Sequence, residues 1–106
     1  MKITATQSAI AILQPMTAKQ GQAVRINGVL VGGCGMTVEY GLFWDDKSPN
    51  DQMTEVEGVT FLLDPETAEY IGSSSLVVDY REQQGFRLVT PEQIVAYGLR
   101  VKGRWE

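Results

Sequence analysis

The stretch AVRINGVLV-GGCGM-TVEYGLFW, residues 23–44, decides the fold that this sequence predicts. Residues 23–31 are rich in β-branched side chains and predict a strand. Residues 37–44 place apolar side chains at alternate positions, which predicts a second strand with one buried face. The glycine cluster between the two runs cannot continue a regular strand comfortably. The simplest arrangement is a β-hairpin with the glycines at its turn.

A helix is predicted before this hairpin, over residues 6–19. Its apolar side chains recur at a spacing of three to four, and Thr6 or Ser8 can cap its start. Gly21 is a suitable stop. Pro15 lacks an N–H and clashes with the preceding turn, so we expect either a kink there or a helix that begins near it.

After the hairpin, residues 45–58 read as an acidic loop or wide turn. Residues 59–63 form an apolar run suited to a buried strand. Asp64 and Pro65 then mark the start of a short helix, as N-cap and first helical residue, and Gly72 marks its end.

The remaining residues predict a second hairpin, with strands at 76–80 and 86–89. Thr90-Pro91-Glu92-Gln93 repeats the cap-then-proline pattern and predicts a short helix to Tyr97. Residues 99–104 alternate and predict an edge strand. The sum is a single domain over residues 1–106, of α+β class, β-rich and dominated by antiparallel strands.

Two counts exclude whole classes of chemistry: the 106 residues contain no histidine and one cysteine. Without histidine there is no Ser-His-Asp or Cys-His catalysis and no imidazole metal ligand. One cysteine permits no intrachain disulfide, and one copy of the chain cannot supply a four-thiolate site. Since no acid–base or nucleophile–base pair can be assembled, we do not expect an enzyme.

The net charge of −4 comes from one segment. Residues 45–57 hold five acidic side chains and one lysine, and the rest of the chain is balanced at eight against eight. Such a balance does not favour nucleic acid or an anionic membrane surface. No apolar run is long enough for a transmembrane helix, and the first residues lack a signal-peptide core, so we expect a cytoplasmic protein.

The glycine-rich turn is where chemistry is most plausible. In one interpretation Cys34 is a small apolar filler, and the glycines only permit the turn. In the other, the flanking Gly33 and Gly35 let backbone N–H groups converge on the thiolate, lower its pKa and leave it free to bind metal or act in redox chemistry. Folding could bring Arg81 or Arg87 close enough to assist.

Three other sets are weaker candidates. Asp45 and Asp46 could seed a divalent-cation site, although a solvated acidic loop is the simpler interpretation. Glu66 and Glu69 lie three apart on the short helix and resemble paired carboxylates, but they also suit an exposed helix surface. The basic tail, residues 99–106, could pack on its own core or dock against the acidic loop of a second copy.

An ordered series of residues resembles the HesB-like, or IscA-type, iron–sulfur biogenesis family, from the first helix to Pro91. The landmarks are Arg25, Gly33-Cys34, Gly35-Met36, Tyr40-Gly41-Leu42, Gly58-Val59, Tyr70, Val78-Asp79-Tyr80, Gly85-Phe86 and Thr90-Pro91. The resemblance implies a compact, β-rich α+β domain. It also implies a carrier that holds iron, or a [2Fe-2S] or [4Fe-4S] cluster, between two chains and passes it to acceptor proteins.

The family uses three cysteine ligands, and only the first of them has a counterpart in this sequence, at Cys34. Three hypotheses follow. The first is an iron or cluster carrier, in which two Cys34 thiolates of a homodimer are joined by outside ligands such as a small thiol. The second, an alternative to this family role, is a divergent HesB-fold binding or adaptor protein that holds no cluster. The third is a redox protein whose only thiol forms intermolecular bonds.

Overall fold

The computed structural model of this chain describes residues 1–32 and 37–103, and within these ranges it contains two helices and nine strands. In chain order they are β1 (Lys2–Ala5), α1 (Gln7–Gln20), β2 (Ala23–Val31), β3 (Thr37–Asp45), β4 (Gln52–Val56), β5 (Val59–Leu63), α2 (Pro65–Ile71), β6 (Ser75–Arg81), β7 (Gly85–Val89), β8 (Ile94–Leu99) and β9 (Val101–Lys102).

The strands form two sheets. One has five strands in the order β4-β5-β2-β3-β9, and the other has four in the order β1-β6-β7-β8. Consecutive hairpin strands pair antiparallel, whereas β1 with β6, β2 with β5 and β3 with β9 pair in parallel. The predicted α+β class, with mostly antiparallel and mixed strands, an N-terminal helix and a second short helix, is therefore confirmed.

A single apolar cluster fills the space between the two sheets and α1. The five-stranded sheet contributes Phe61 and Leu63, the four-stranded sheet Leu76 and Leu88, and α1 contributes Leu13, all of them buried. The Cα radius of gyration is 13.1 Å, the value expected for a compact chain of about 100 residues.

Helix α1 begins where its cap predicts. The Oγ1 of Thr6 accepts a hydrogen bond from the N–H of Ala9 at 3.3 Å, and the N–H of Gly21 donates to Thr17 at the other end. Pro15 lies inside the helix. The alternative prediction, a helix that begins near Pro15, is therefore wrong. The cap at Thr6 and the buried side chains before the proline stabilise the earlier turns of the helix.

The predicted hairpin over residues 23–44 is confirmed. β2 and β3 pair without a break from Ala23 opposite Asp45 to Val31 opposite Thr37. Residues 33–36, which include the predicted Gly33-Cys34-Gly35 turn, lie outside the described residues.

The outer half of this hairpin extends past the rest of its sheet. β5 pairs with β2 only over residues 24–26, and β9 pairs with β3 only over residues 42–43. Among the described strands, residues 27–31 and 37–41 are therefore paired only with each other. We call these two segments the ribbon.

The acidic stretch is not wholly a loop. Residues 52–56 form β4, which pairs antiparallel with β5, and Glu57-Gly58 makes the two-residue turn between them. Both turn residues have positive φ, at 47° and 84°, as a type I′ turn requires. The prediction of a loop over 45–58 is wrong for residues 52–56, because pairing with a buried strand overrides their polar composition.

The predicted helix from residue 90 to Tyr97 is also wrong. Thr90 does make the capping contact, since its Oγ1 accepts from the N–H of Gln93 at 3.2 Å. The chain then continues as β8, which pairs with β7. The helix from Pro65, the second hairpin and an edge strand within 99–104 are confirmed, the last as β9.

Neither helix among the described residues is long and apolar enough to cross a membrane.

Candidate functional site

The ribbon carries the chain into residues 33–36, where the sequence predicts the turn that contains Cys34. The predicted site residues Gly33, Cys34 and Gly35 lie outside the described residues, and so do Arg104, Trp105 and Glu106 of the tail. The structure describes both strands that bound the turn, up to Val31 and Thr37, which face each other at the end of the ladder.

Gly28 anchors the base of the ribbon. Its N–H donates to the Oγ1 of Thr67 at 2.9 Å, and Thr67 is fully buried in α2. A Cβ added at Gly28 would lie 3.0 Å from the ring of Tyr40, which therefore packs on the bare glycine backbone. Burial of this ring raises the pKa of Tyr40. The ribbon thus leaves the core at a fixed point beside α2.

Beyond this anchor the ribbon exposes apolar side chains. Val29 is 49% exposed and Leu30 is 41% exposed. Glu39 faces Val29 across the ladder and is exposed. The outer part of the ribbon therefore exposes both apolar and acidic side chains.

An ion-pair cluster lies near the inner end of the same hairpin. The Nε of Arg25 donates to Asp45 at 2.5 Å, and its two terminal nitrogens donate to the two carboxylate oxygens of Asp51 at 2.9 and 2.5 Å. The side chains of Arg25 and Asp51 are only 12% and 2% exposed. Hydrogen bonds from Arg25 lower the pKa of Asp51, and the same bonds raise that of Arg25.

This cluster corrects the interpretation of the acidic segment as a solvated loop. Asp45 is buried and the side chain of Asp51 nearly so, and Arg25 forms an ion pair with each of them, because a guanidinium group has donors for two carboxylates. Asp46 remains exposed. Within residues 1–32 and 37–103, no three His, Cys, Asp or Glu side chains are placed to hold a metal ion, and Asp45 binds Arg25 instead.

Arg81 and Arg87 both bind a carboxylate on the four-stranded sheet. The Oδ2 of Asp79 accepts from the Nε of Arg87 at 2.6 Å and from that of Arg81 at 3.3 Å. Its Oδ1 accepts from the hydroxyl of Thr6 at 2.8 Å. Burial raises the pKa of Asp79, but these hydrogen bonds outweigh it and lower the value to about 2. Both arginines thus stabilise the start of α1 against β6 and β7.

The carboxylates of α2 lie on the surface of the helix. The Oε1 of Glu66 accepts from the hydroxyl of Tyr70 at 3.0 Å, and this hydrogen bond raises the pKa of Tyr70. Glu69 is exposed.

In the basic tail, residues 101–102 pair with β3 of the same chain, so this part of the tail packs on its own sheet.

Comparisons with known proteins identify the family. The sequence profile described as iron-sulphur cluster biosynthesis matches residues 1–102. Protein Rv2204c of Mycobacterium tuberculosis is 35% identical over 91 residues, which cover 81% of this chain and 75% of that protein. A crystal structure of IscA with the [2Fe-2S] cluster has a TM-score of 0.65 at 30% identity, and the match covers 84% of this chain and 85% of that one.

A crystal structure of Escherichia coli SufA shares the fold, with a TM-score of 0.66 at 20% identity over 86% of this chain and 82% of that one. The chain belongs to the iron–sulphur cluster biosynthesis family. It is an iron–sulfur cluster biosynthesis protein of the IscA type, as the ordered landmarks in its sequence predict.

Proposed function

We propose that this protein is a non-enzymatic carrier that takes up iron or an iron–sulfur cluster as cargo and hands it to acceptor proteins. In this proposal Cys34 is the thiolate ligand, and the flanking Gly33 and Gly35 would let backbone N–H groups stabilise the charge on the sulfur. The observation that supports the proposal is the sequence position of the chain's single cysteine, in the connection between the two strands of a ribbon that extends past the sheet. Family membership supports the cargo.

The ligand count implies that cargo is shared. Iron in a [2Fe-2S] or [4Fe-4S] cluster is held by four protein thiolates in ordinary sites. Two chains supply two Cys34 thiolates, so outside thiols must fill the other positions. A cluster with half its ligands untethered dissociates readily, which suits a transient carrier of the cytoplasm, the thiol-reducing compartment.

Anaerobic reconstitution with ferrous iron and sulfide tests this proposal. We expect iron to co-elute with the protein as a dimer, with visible charge-transfer absorption, in the presence of a small thiol. Cys34→Ser should lose both, whereas the control Thr37→Ser, at the exposed start of β3, should load as the wild type. Colourless, iron-free wild-type protein would refute the carrier and favour an adaptor without cargo.

The thiol itself gives an independent measurement. Alkylation rate against pH should report a Cys34 pKa below the unperturbed value of about 8.5, because convergent N–H groups favour the thiolate. A pKa at or above that value would favour a buried, structural cysteine.

A further inference from the structure

The ribbon leaves an open strand edge beside α2. Val24 and Ile26 of β2 pair along this edge with β5, and the N–H of Gly28 points to the same edge, where it binds Thr67. Hydrogen-bonding groups of a strand alternate between its two edges. The N–H and C=O of Leu30 are therefore the next pair directed to this edge, beyond the last residue of β2 that β5 reaches.

The cavity between this edge and α2 has a volume of about 440 Å³. Val29 and Leu30 line its strand side, and Asp64, Glu66 and Tyr70 line its helix side. The described residues that line it include two carboxylates and neither lysine nor arginine. The cleft therefore combines apolar walls with negative charge.

These features together fit one kind of occupant. A lysine or arginine side chain can lay its aliphatic stem on apolar groups such as Val29 and Leu30 and keep its charged head near carboxylates. An extended backbone can at the same time pair with the N–H and C=O of Leu30, as in strand addition to an open sheet edge. A second copy placed symmetrically on this edge would bring the same negatively charged cleft against itself, and like charges oppose that arrangement.

We propose that the cleft between α2 and the ribbon docks an extended segment of the acceptor protein in which lysine or arginine alternates with apolar residues. The inference rests on the proposed carrier function, since it names the surface next to the cysteine turn at which cargo would leave. Opposite charge steers the encounter, and the apolar contacts at Val29 and Leu30 hold the complex.

A short synthetic peptide of alternating valine and lysine is the probe for this surface, and the valine–glutamate peptide is its control. NMR titration should shift amide signals of residues 27–31 and 64–70 with the first peptide only. Shifts centred on β4 or β8, or equal shifts with both peptides, would overturn the proposal.

Matched substitutions then test the two parts of the surface. Glu66→Lys and Leu30→Gln should each weaken binding of the valine–lysine peptide about tenfold. Glu55→Lys makes the same charge reversal and Met53→Gln removes another large apolar side chain, both at exposed positions of β4, and both should leave binding unchanged. Glu66→Gln, which removes the charge without reversing it, should fall between Glu66→Lys and the wild type. Equal affinities for all these variants would contradict the proposal.

Two further readouts separate this inference from its alternatives. Glu66→Lys should load iron as the wild type does, because Glu66 is not a ligand; wild type that loads iron but binds neither peptide would overturn only the docking surface. Failure of the wild type to load iron would overturn the carrier. If Leu30→Gln abolishes a dimer in sedimentation, the occupant is a second copy and the proposal is wrong.

Discussion

At the scale of single residues, Arg25 connects two parts of the acidic segment through its ion pairs. It joins Asp45, at the end of β3, to Asp51, just before β4. These partners are 20 and 26 residues away in the sequence. A contact between residues so far apart leaves no local pattern in the sequence. The sequence therefore shows the excess negative charge of the segment but does not predict that Arg25 pairs with it.

Replacing Arg25 with methionine should destabilise the protein strongly. The change keeps the aliphatic stem but removes both guanidinium hydrogen bonds from the buried carboxylate of Asp51 and one from Asp45, and such loss costs about 3 kcal/mol. Urea denaturation should show this loss, and the control Lys47→Met, at an exposed neighbour, should stay within about 0.5 kcal/mol. Equal midpoints for the two variants would mean that the cluster contributes no stability.

Asp79 should make the protein sensitive to acid. Its folded-state pKa of about 2 lies below the value of about 3.9 for an unfolded aspartate. Between these values the unfolded state binds more protons, so the contribution is complete above about pH 5 and is lost as pH falls through about 2. Asp79→Asn should flatten this part of the stability curve, measured by urea midpoints from pH 6 downward. Curves that run parallel for wild type and variant would contradict the assignment.

At the scale of elements, sequence patterns located most helices and strands and failed where pairing opposed them. The hairpin of β2 and β3, strand β5 and helix α2 follow from alternation and capping residues. Strand β4 was not predicted, because Glu57 is an unusual first residue for the type I′ turn that joins β4 to β5. The structure shows what stabilises it: side-chain amides of Gln7 and Gln14, on α1, donate to the carboxylate and carbonyl of Glu57 at 2.6 and 2.5 Å.

Strand β8 was not predicted because the helix-capping pattern at Thr90 indicated a helix over the same residues. The Thr90 cap forms, yet residues 94–99 gain more by pairing with β7 than a short helix would provide. β1 was not predicted because four residues carry too little periodicity to identify a strand.

The start of β7, which lies beside the end of β8, should tolerate an added methyl group poorly. Gly85 has φ of 79°, and a Cβ there would lie 2.6 Å from the carbonyl oxygen of Leu99. Gly58 is the matched control, because its φ is 84° but no atom lies within 4 Å of the added Cβ.

We expect Gly58→Ala to cost about 1 to 2 kcal/mol through backbone strain alone. Gly85→Ala should cost clearly more, because the backbone of β8 must also move. Urea denaturation of the two variants measures the difference. Equal losses would show that the close contact with Leu99 relaxes freely.

At the scale of the whole molecule, the two sheets share one core and are also joined at their edges. The N-terminal amine donates to the Oε1 of Gln52 at 3.2 Å, and the Nε2 of Gln52 donates to the carbonyl of Met1 at 2.6 Å. These bonds link the start of β1 to β4, on the other sheet. The single domain over residues 1–106 stays a prediction, and unfolding can test it.

A single cooperative transition is expected. Trp44 is buried in the five-stranded sheet, and a Trp105→Phe background makes it the only tryptophan. Its fluorescence and the far-ultraviolet circular dichroism of the whole chain should change at the same urea concentration, because both sheets bury the same apolar cluster. Two separate midpoints would show that the sheets unfold independently.

The isolated pairing of the ribbon has an evolutionary consequence. Residues 27–31 and 37–41 contact each other across one ladder, while β5 and β9 stop short of them. Insertions or exchanges in the connection beyond Val31 and Thr37 therefore leave the buried cluster intact, and longer surface connections cost little free energy. A cofactor ligand can therefore be gained, lost or replaced in this connection during evolution without destabilising the fold. The fold can accordingly be retained in descendants that have lost the cofactor chemistry.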